Sequence, residues 1–144
     1  MAFSKASFWG AGLILGTICL QGCGPDPRSR FAAEVEGMIQ KANEGKHGEL
    51  EGALSLPLVE KIRAEGWEPK KVLVMVARKD REEGAQYRLS DVPRFEVREY
   101  AEAEVLRAGR SGERRITVPF LWEKGKWKAG AAYKDGRAWE AEEF

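Results

Sequence analysis

Histidine and cysteine, the residues on which most metal and nucleophile chemistry depends, are nearly missing: the 144 residues hold one His, His47, and two Cys, Cys19 and Cys23. No His or Cys pair has metal-ligand spacing, so no metal is expected. No glycine-rich loop leads from a strand into a helix, so a phosphate cradle is excluded and no cofactor is expected. Neither sign of charge is in excess, with 24 basic and 23 acidic side chains and a formal net charge of +1. Nucleic acid is therefore not an expected partner. Long apolar runs are also lacking. The longest, Phe8 to Leu20, would rise about 20 Å as a helix against a hydrocarbon core of ~30 Å, too short to span it.

What that short run does resemble is a removable leader. Met1 to Ser7 carries one positive side chain, Lys5, and no acid, and the apolar run follows it, the order of a secretory signal. It ends in Leu20-Gln21-Gly22-Cys23. Leu20, Gly22 and Cys23 resemble the lipobox of bacterial lipoproteins, while Gln21 stands where that pattern carries a small residue. The resemblance implies cleavage before Cys23 and acylation of its sulfur, of the kind followed with palmitate. One acyl chain binds only marginally, so stable anchoring takes more than one. The competing reading is an ordinary secretory peptide that leaves Cys23 as a thiol. Cleavage would remove Cys19 as well, leaving no internal disulfide, and a lone thiol is a liability in an oxidising compartment that acylation would remove. The expected location is the bacterial cell envelope, with membrane lipid as the partner of Cys23. Gly24 stands where inner-membrane lipoproteins of some enterobacteria carry Asp, so it gives no argument for inner-membrane retention.

Lys5 is the only charge in residues 1–22, so the remaining chain is balanced at 23 of each sign. It is long enough for one domain. Residues 23–29, with Pro25 and Pro27, read as a tether, 30–134 as the domain, and 135–144 as an acidic and aromatic tail containing Trp139 and Phe144. A first helix is expected from about Arg30, since Phe31, Val35, Met38, Ile39 and Ala42 recur at helical spacing, and Asn43 to Gly48 should end it. A second short helix holds Leu50, Ala53 and Leu54. A third follows Ser55 as cap, carries Val59 and Ile62, and closes at Gly66. Val72-Leu73-Val74-Met75-Val76-Ala77 reads as a strand buried on both faces. Further strands are expected at Gln86–Leu89, at Phe95–Arg107 with a bulge near Glu99, at Arg114–Trp122 and at Lys126–Tyr133. Ser111-Gly112 and Lys124-Gly125 supply the hairpin turns. The fold class is α+β, two or three N-terminal helices packed on a curved antiparallel sheet.

The closing stretch Val118-Pro119-Phe120-Leu121-Trp122-Glu123-Lys124-Gly125-Lys126-Trp127-Lys128 combines an apolar strand, an acidic-Gly turn and a Trp-Lys strand. With Tyr100-Ala101-Glu102-Ala103-Glu104-Val105 before it, this resembles the nuclear transport factor two-like superfamily, and in particular small bacterial lipoproteins with that domain. The resemblance covers about Phe31 to Tyr133. It implies a cone-shaped cavity between helices and sheet, in a fold that hosts isomerases, dehydratases, carriers and interaction modules, and so implies no particular chemistry.

Within that frame, His47 in a Gly-flanked turn is expected to be solvated, and Asp80, Asp91 and Asp135 to be turn residues bonded to their own backbone. Arg78 to Glu83 reads as a charged hairpin loop. Glu99, Glu102 and Glu104 form a solvated face, unless one turns inward beside Tyr100 as a perturbed acid. Trp67, Phe95, Tyr100, Trp122, Trp127 and Tyr133 are the candidate pocket walls, set against the alternative of a filled core. No catalytic residue is assigned. The expected function is a membrane-anchored envelope lipoprotein acting as a non-catalytic module that binds an envelope protein or a small apolar molecule; the alternative is an isomerase or dehydratase using the cone. The two-faced apolar strand at 72–77 further suggests a homodimer, unless the tail covers its second face.

Overall fold

A computed structural model describes residues 26–90, 94–97, 99–134 and 137–140. Leu20, Gln21, Gly22 and Cys23 lie outside the described residues, as do Asp91 and Asp135 and the side chains of Tyr133 and Trp139.

The first helix, α1, spans Pro27–Asn43. It starts three residues before Arg30, inside the expected tether. Asp26 accepts a hydrogen bond from the Arg28 N–H at 3.1 Å, and Pro27 follows in the first turn, where its missing N–H has no partner to lose. Gly45, at φ 74°, closes the helix, with the N–H groups of Gly45 and Lys46 returned to the carbonyls of Ala42 and Lys41. A 3₁₀ helix, His47–Ala53, follows, and then α2, Leu56–Ala64. Ser55 occupies the cap position expected for it, but the capping carboxylate is Glu123, which accepts from the Leu56 N–H at 3.0 Å. A carboxylate at that end also meets the positive pole of the helix.

The expected strand at 72–77 is a helix. α3 runs Pro69–Glu83 and absorbs both the apolar run and the charged segment 78–83 expected to be a loop. A short apolar run has no period of its own, and its flanks decide. Here Pro69 opens the helix and Gly84, in the left-handed conformation at φ 61°, ends it, with the Ala85 N–H returned to the Asp80 carbonyl at 2.8 Å. Val74 and Met75 remain on the outside, 56% and 46% exposed. The two-faced strand that motivated a dimer is therefore not formed.

The sheet is antiparallel. β1 (Gln86–Leu89) and β2 (Arg94–Val97) both pair with one edge of β3 (Tyr100–Gly109), end to end, while β4 (Gly112–Glu123) and β5 (Lys126–Ala129) continue from its other edge. β1 has the expected bounds. The long strand expected from Phe95 to Arg107 is instead a hairpin, Val97 facing Tyr100, with the register irregularity between Phe95 and Val97 rather than at Glu99. The strand expected at Lys126–Tyr133 breaks at Gly130, φ 109°, beyond which β6 (Ala131–Lys134) pairs with β7 (Arg137–Glu140), formed from the tail, in a separate two-stranded sheet. Glycine suits this positive φ, and a Cβ there would also push the end of the Leu58 side chain of α2 aside.

Helices packed on a curved half-barrel sheet make an α+β fold, compatible with the nuclear transport factor two-like architecture. Among the described residues no helix is long and apolar enough to cross a membrane.

Candidate functional site

The face of the sheet toward the helices carries Ala101, Ala103, Val105 and Arg107 on β3 opposite Phe120, Val118, Ile116 and Arg114 on β4. Its two ends are filled differently. At the β2 end, Phe31 of α1 stands with its ring edge-on to Phe95, Phe120 and Trp127 at centroid distances of 5.2, 5.1 and 4.9 Å, and Trp122 stands edge-on to Trp127 at 5.4 Å. Ala101 and Ala103 leave room beneath these rings. The Trp127 indole donates to the Pro27 carbonyl at 2.8 Å, and its backbone N–H donates to Glu34 at 2.8 Å, which fixes the start of α1 on the sheet. Filled core and pocket, posed as alternatives, are both present, and Phe95, Trp122 and Trp127 belong to the filled part.

The other end is hollow. Between α1, the 3₁₀ helix, α2, α3 and the sheet lies a cavity of about 340 Å³, walled by aliphatic side chains that include Met38 and Ile39 of α1, Leu58 and Ile62 of α2, Leu73 and Val76 of α3, and Val105 and Ile116 of the sheet. It opens to solvent on one side and is far larger than the voids left between packed side chains. It falls at the lower end of small-molecule pockets.

The cavity has one polar end, where His47, Asp80, Tyr87 and Arg107 meet and which the exposed Lys79 and Arg114 also line. Asp80 sits on the inward stripe of α3, one turn past Val76 and Ala77, and is 6% exposed. His47 opens the 3₁₀ helix and is 4% exposed, turned under α3 by the Gly45 reversal. Both were expected in solvent, and that expectation is corrected: once 69–83 is a helix, Asp80 is a buried residue in need of partners. It has three. Asp80 Oδ2 accepts from the Tyr87 hydroxyl at 2.7 Å and lies 2.9 Å from His47 Nε2, and Oδ1 accepts from Arg107 Nη2 at 2.9 Å. Arg107 Nη2 also donates to Glu83 at 2.6 Å, and Arg107 Nε donates to the Tyr87 hydroxyl at 3.3 Å. Asn43 holds Tyr87 from behind, donating to its carbonyl at 2.8 Å and accepting from its N–H at 2.7 Å.

These contacts set the charge states. Burial opposes ionisation of Asp80, but the hydrogen bonds from Tyr87, His47 and Arg107, together with the Arg107 charge, outweigh it and hold the carboxyl below its ordinary range. Burial, then the bond to Asp80, pushes the Tyr87 phenol up to about 12, so it stays a donor. Burial would lower the pKa of Arg107, but Glu83, Asp80 and Tyr87 raise it overall. Asp80 is thus a carboxylate, and a carboxylate only accepts. His47 Nε2 therefore carries the proton in their bond. His47 Nδ1 is buried and makes no hydrogen bond among the described residues.

Of the six candidate wall residues, the five whose side chains are described lie elsewhere. Phe95, Trp122 and Trp127 belong to the aromatic cluster. Tyr100 is buried on the opposite face of β3 and donates to Glu102 at 2.9 Å. Trp67 precedes α3 and is 50% exposed. Tyr133 lies in β6, with its side chain outside the description. Tyr87 and Arg107, which no sequence motif singled out, complete the polar end. The available signal was parity, since Arg107 falls on the same side of β3 as Ala101, Ala103 and Val105.

No family model and no curated protein matches this chain.

Proposed function

We propose that this chain is a lipid-anchored protein of the bacterial cell envelope that binds a small, largely apolar molecule between its helices and its sheet. The supporting observation is the 340 Å³ aliphatic cavity with a single polar end. An apolar cavity of this size gains free energy when an apolar solute replaces water or vacuum, and one polar end fixes the orientation of that solute. A fluorescent apolar dye such as aminoanthracene should bind to the full chain and be displaced by small terpenes. Leu73→Trp, which puts an indole into the cavity from α3, should weaken the dye by about tenfold or more while leaving the helical circular dichroism unchanged. Dye binding that ignores Leu73→Trp would show that the cavity is not the site.

The anchor is supported by Lys5, the short apolar run and Leu20-Gln21-Gly22-Cys23. In a bacterial host, wild-type chain should incorporate labelled palmitate and fractionate with membranes, and Cys23→Ser should do neither. An unlabelled wild-type chain in the soluble fraction would contradict the anchor.

A second reading, an isomerase or dehydratase, is favoured by the buried His47–Asp80 pair at the cavity, the arrangement that makes an imidazole a general base. It requires a turnover that His47→Gln abolishes while dye affinity is retained.

A further inference from the structure

We infer that the outer face of α3 is a docking surface for an anionic phospholipid bilayer. The inference goes beyond the binding of a small molecule in the cavity and does not depend on acylation of Cys23.

One side of α3 is spent within the fold. Pro69, Val72, Leu73, Val76, Ala77 and Asp80 are buried or line the cavity. On the opposite side Lys70, Val74, Arg78 and Arg81 recur at helical spacing, with Lys71 and Met75 beside them, and all six are exposed. Trp67, just ahead of the helix, is 50% exposed, and Val74 and Met75 are 56% and 46% exposed. The solvent side of an amphipathic helix ordinarily carries polar residues alone. Here large apolar side chains stand among cations.

The charge on this face selects its occupant. The chain as a whole is balanced, 24 basic against 23 acidic, yet the exposed charges of α3 are Lys70, Lys71, Arg78, Lys79 and Arg81 against Glu82 alone. The two other acids of the helix, Asp80 and Glu83, are bonded to Arg107. Glu65 and Glu68 flank Trp67, and Glu68 lies 3.4 Å from Lys71, which leaves the cations in excess. A basic face with apolar side chains set into it is the pattern of helices that lie on anionic membranes: Lys and Arg meet the phosphates while the apolar groups enter the acyl boundary. The long Lys and Arg stems reach up to the headgroups as the helix settles. A second copy of the same face would bring cations against cations. Nucleic acid would use the charges and leave Val74 and Met75 bare. The apolar part is one convex turn of helix, little area for a protein partner, whereas a soft lipid surface closes around it.

Cys19 and Cys23 are the only cysteines, so the full chain with both changed to Ser and with Met75→Cys carries one thiol for a polarity-sensitive dye. Its emission should move to the blue on adding vesicles of phosphatidylglycerol and phosphatidylcholine in equal parts, and stay in place with phosphatidylcholine alone. The same dye on Glu36→Cys, at the exposed side of α1, should not respond. Salt at about 1 M, where the screening length is ~3 Å, should reverse the shift at 75. Lys71→Gln combined with Arg78→Gln should weaken vesicle binding by about tenfold or more with helical circular dichroism unchanged, since each Lys or Arg near an anionic surface is worth roughly a fivefold factor. Attachment through the apolar run at 8–20 would be indifferent to those two substitutions. A dye at 75 that stays in water, shifts equally with neutral lipid or only matches the dye at 36 overturns the inference, as does vesicle binding untouched by the double variant. A shift that follows protein concentration instead of vesicles would mean that a second copy covers the face, and overturns it too. Cys23 is absent throughout and the cavity is read by its own dye, so each of these results leaves the anchor and the pocket to their separate tests.

Discussion

Asp80→Asn is expected to destabilise the chain by about 3–5 kcal/mol, the cost of breaking a buried charge pair from one side. The amide keeps the shape of the side chain, so packing does not change. What changes is that Arg107, buried and 2.9 Å from Oδ1, loses its buried anion, while Tyr87 and His47 exchange a charged acceptor for a neutral amide that turns an NH₂ toward one side of the network. Glu83 remains on Arg107 but is partly solvated and does not replace the lost charge. Urea unfolding near neutral pH would measure the loss. An exposed acid on α1, Glu36→Gln, should stay within about 0.5 kcal/mol. Acid adds a second readout. The carboxyl of Asp80 is held below 3.8 in the folded chain, so near and below that value the unfolded chain binds the extra proton. The stability Asp80 contributes is therefore present above the unfolded value and is lost as pH falls through the folded one. Asp80→Asn should remove that part of the acid sensitivity. A variant as stable as wild type, with the same acid profile, would mean that the network at the cavity end is not formed.

Trp127→Ala should cost a similar amount, about 3–5 kcal/mol, through loss of packing. Trp127 is 1% exposed, touches the rings of Phe31 and Trp122, and donates to the Pro27 carbonyl. Its removal opens a void among aromatic neighbours that are themselves pinned and unable to close it. Trp67→Ala removes the same side chain from a position half open to water and should cost less than about 1 kcal/mol. Paired thermal melts of the two variants check the division of the molecule into a filled and an open part. Equal losses would contradict it.

Much of the fold was legible because local chemistry and tertiary packing agree there. Phe31 and Val35 mark the buried face of α1, Ser55 and Gly66 bracket α2, and Gln86–Leu89 is a strand with the expected bounds. The failure at 72–77 has one cause with several consequences. Six consecutive apolar residues have no period, so the decision belonged to Pro69 and Gly84 at the flanks. With a strand assumed, the charges at 78–83 become a loop and Asp80 a turn residue. With a helix, Asp80 falls on the stripe of Leu73, Val76 and Ala77. The partners of Asp80 come from three separate places in the chain, and no local rule joins His47 to Tyr87 or Arg107. The aromatic residues were legible as a group but not in their distribution, because the ring that organises them, Phe31, comes from the helix layer, and Tyr100 falls on the other side of β3 once the hairpin at Val97–Tyr100 sets its parity.

The account depends most on the aliphatic end being hollow. Crystals of the full chain held under xenon test this directly, since xenon enters dry apolar cavities and ignores packed cores. Xenon should appear beside Leu73, Val76 and Ile116, with none among Phe31, Phe95 and Trp127. A crystal without xenon at that place, with α2 and α3 settled onto the sheet and the cavity closed, would contradict the account.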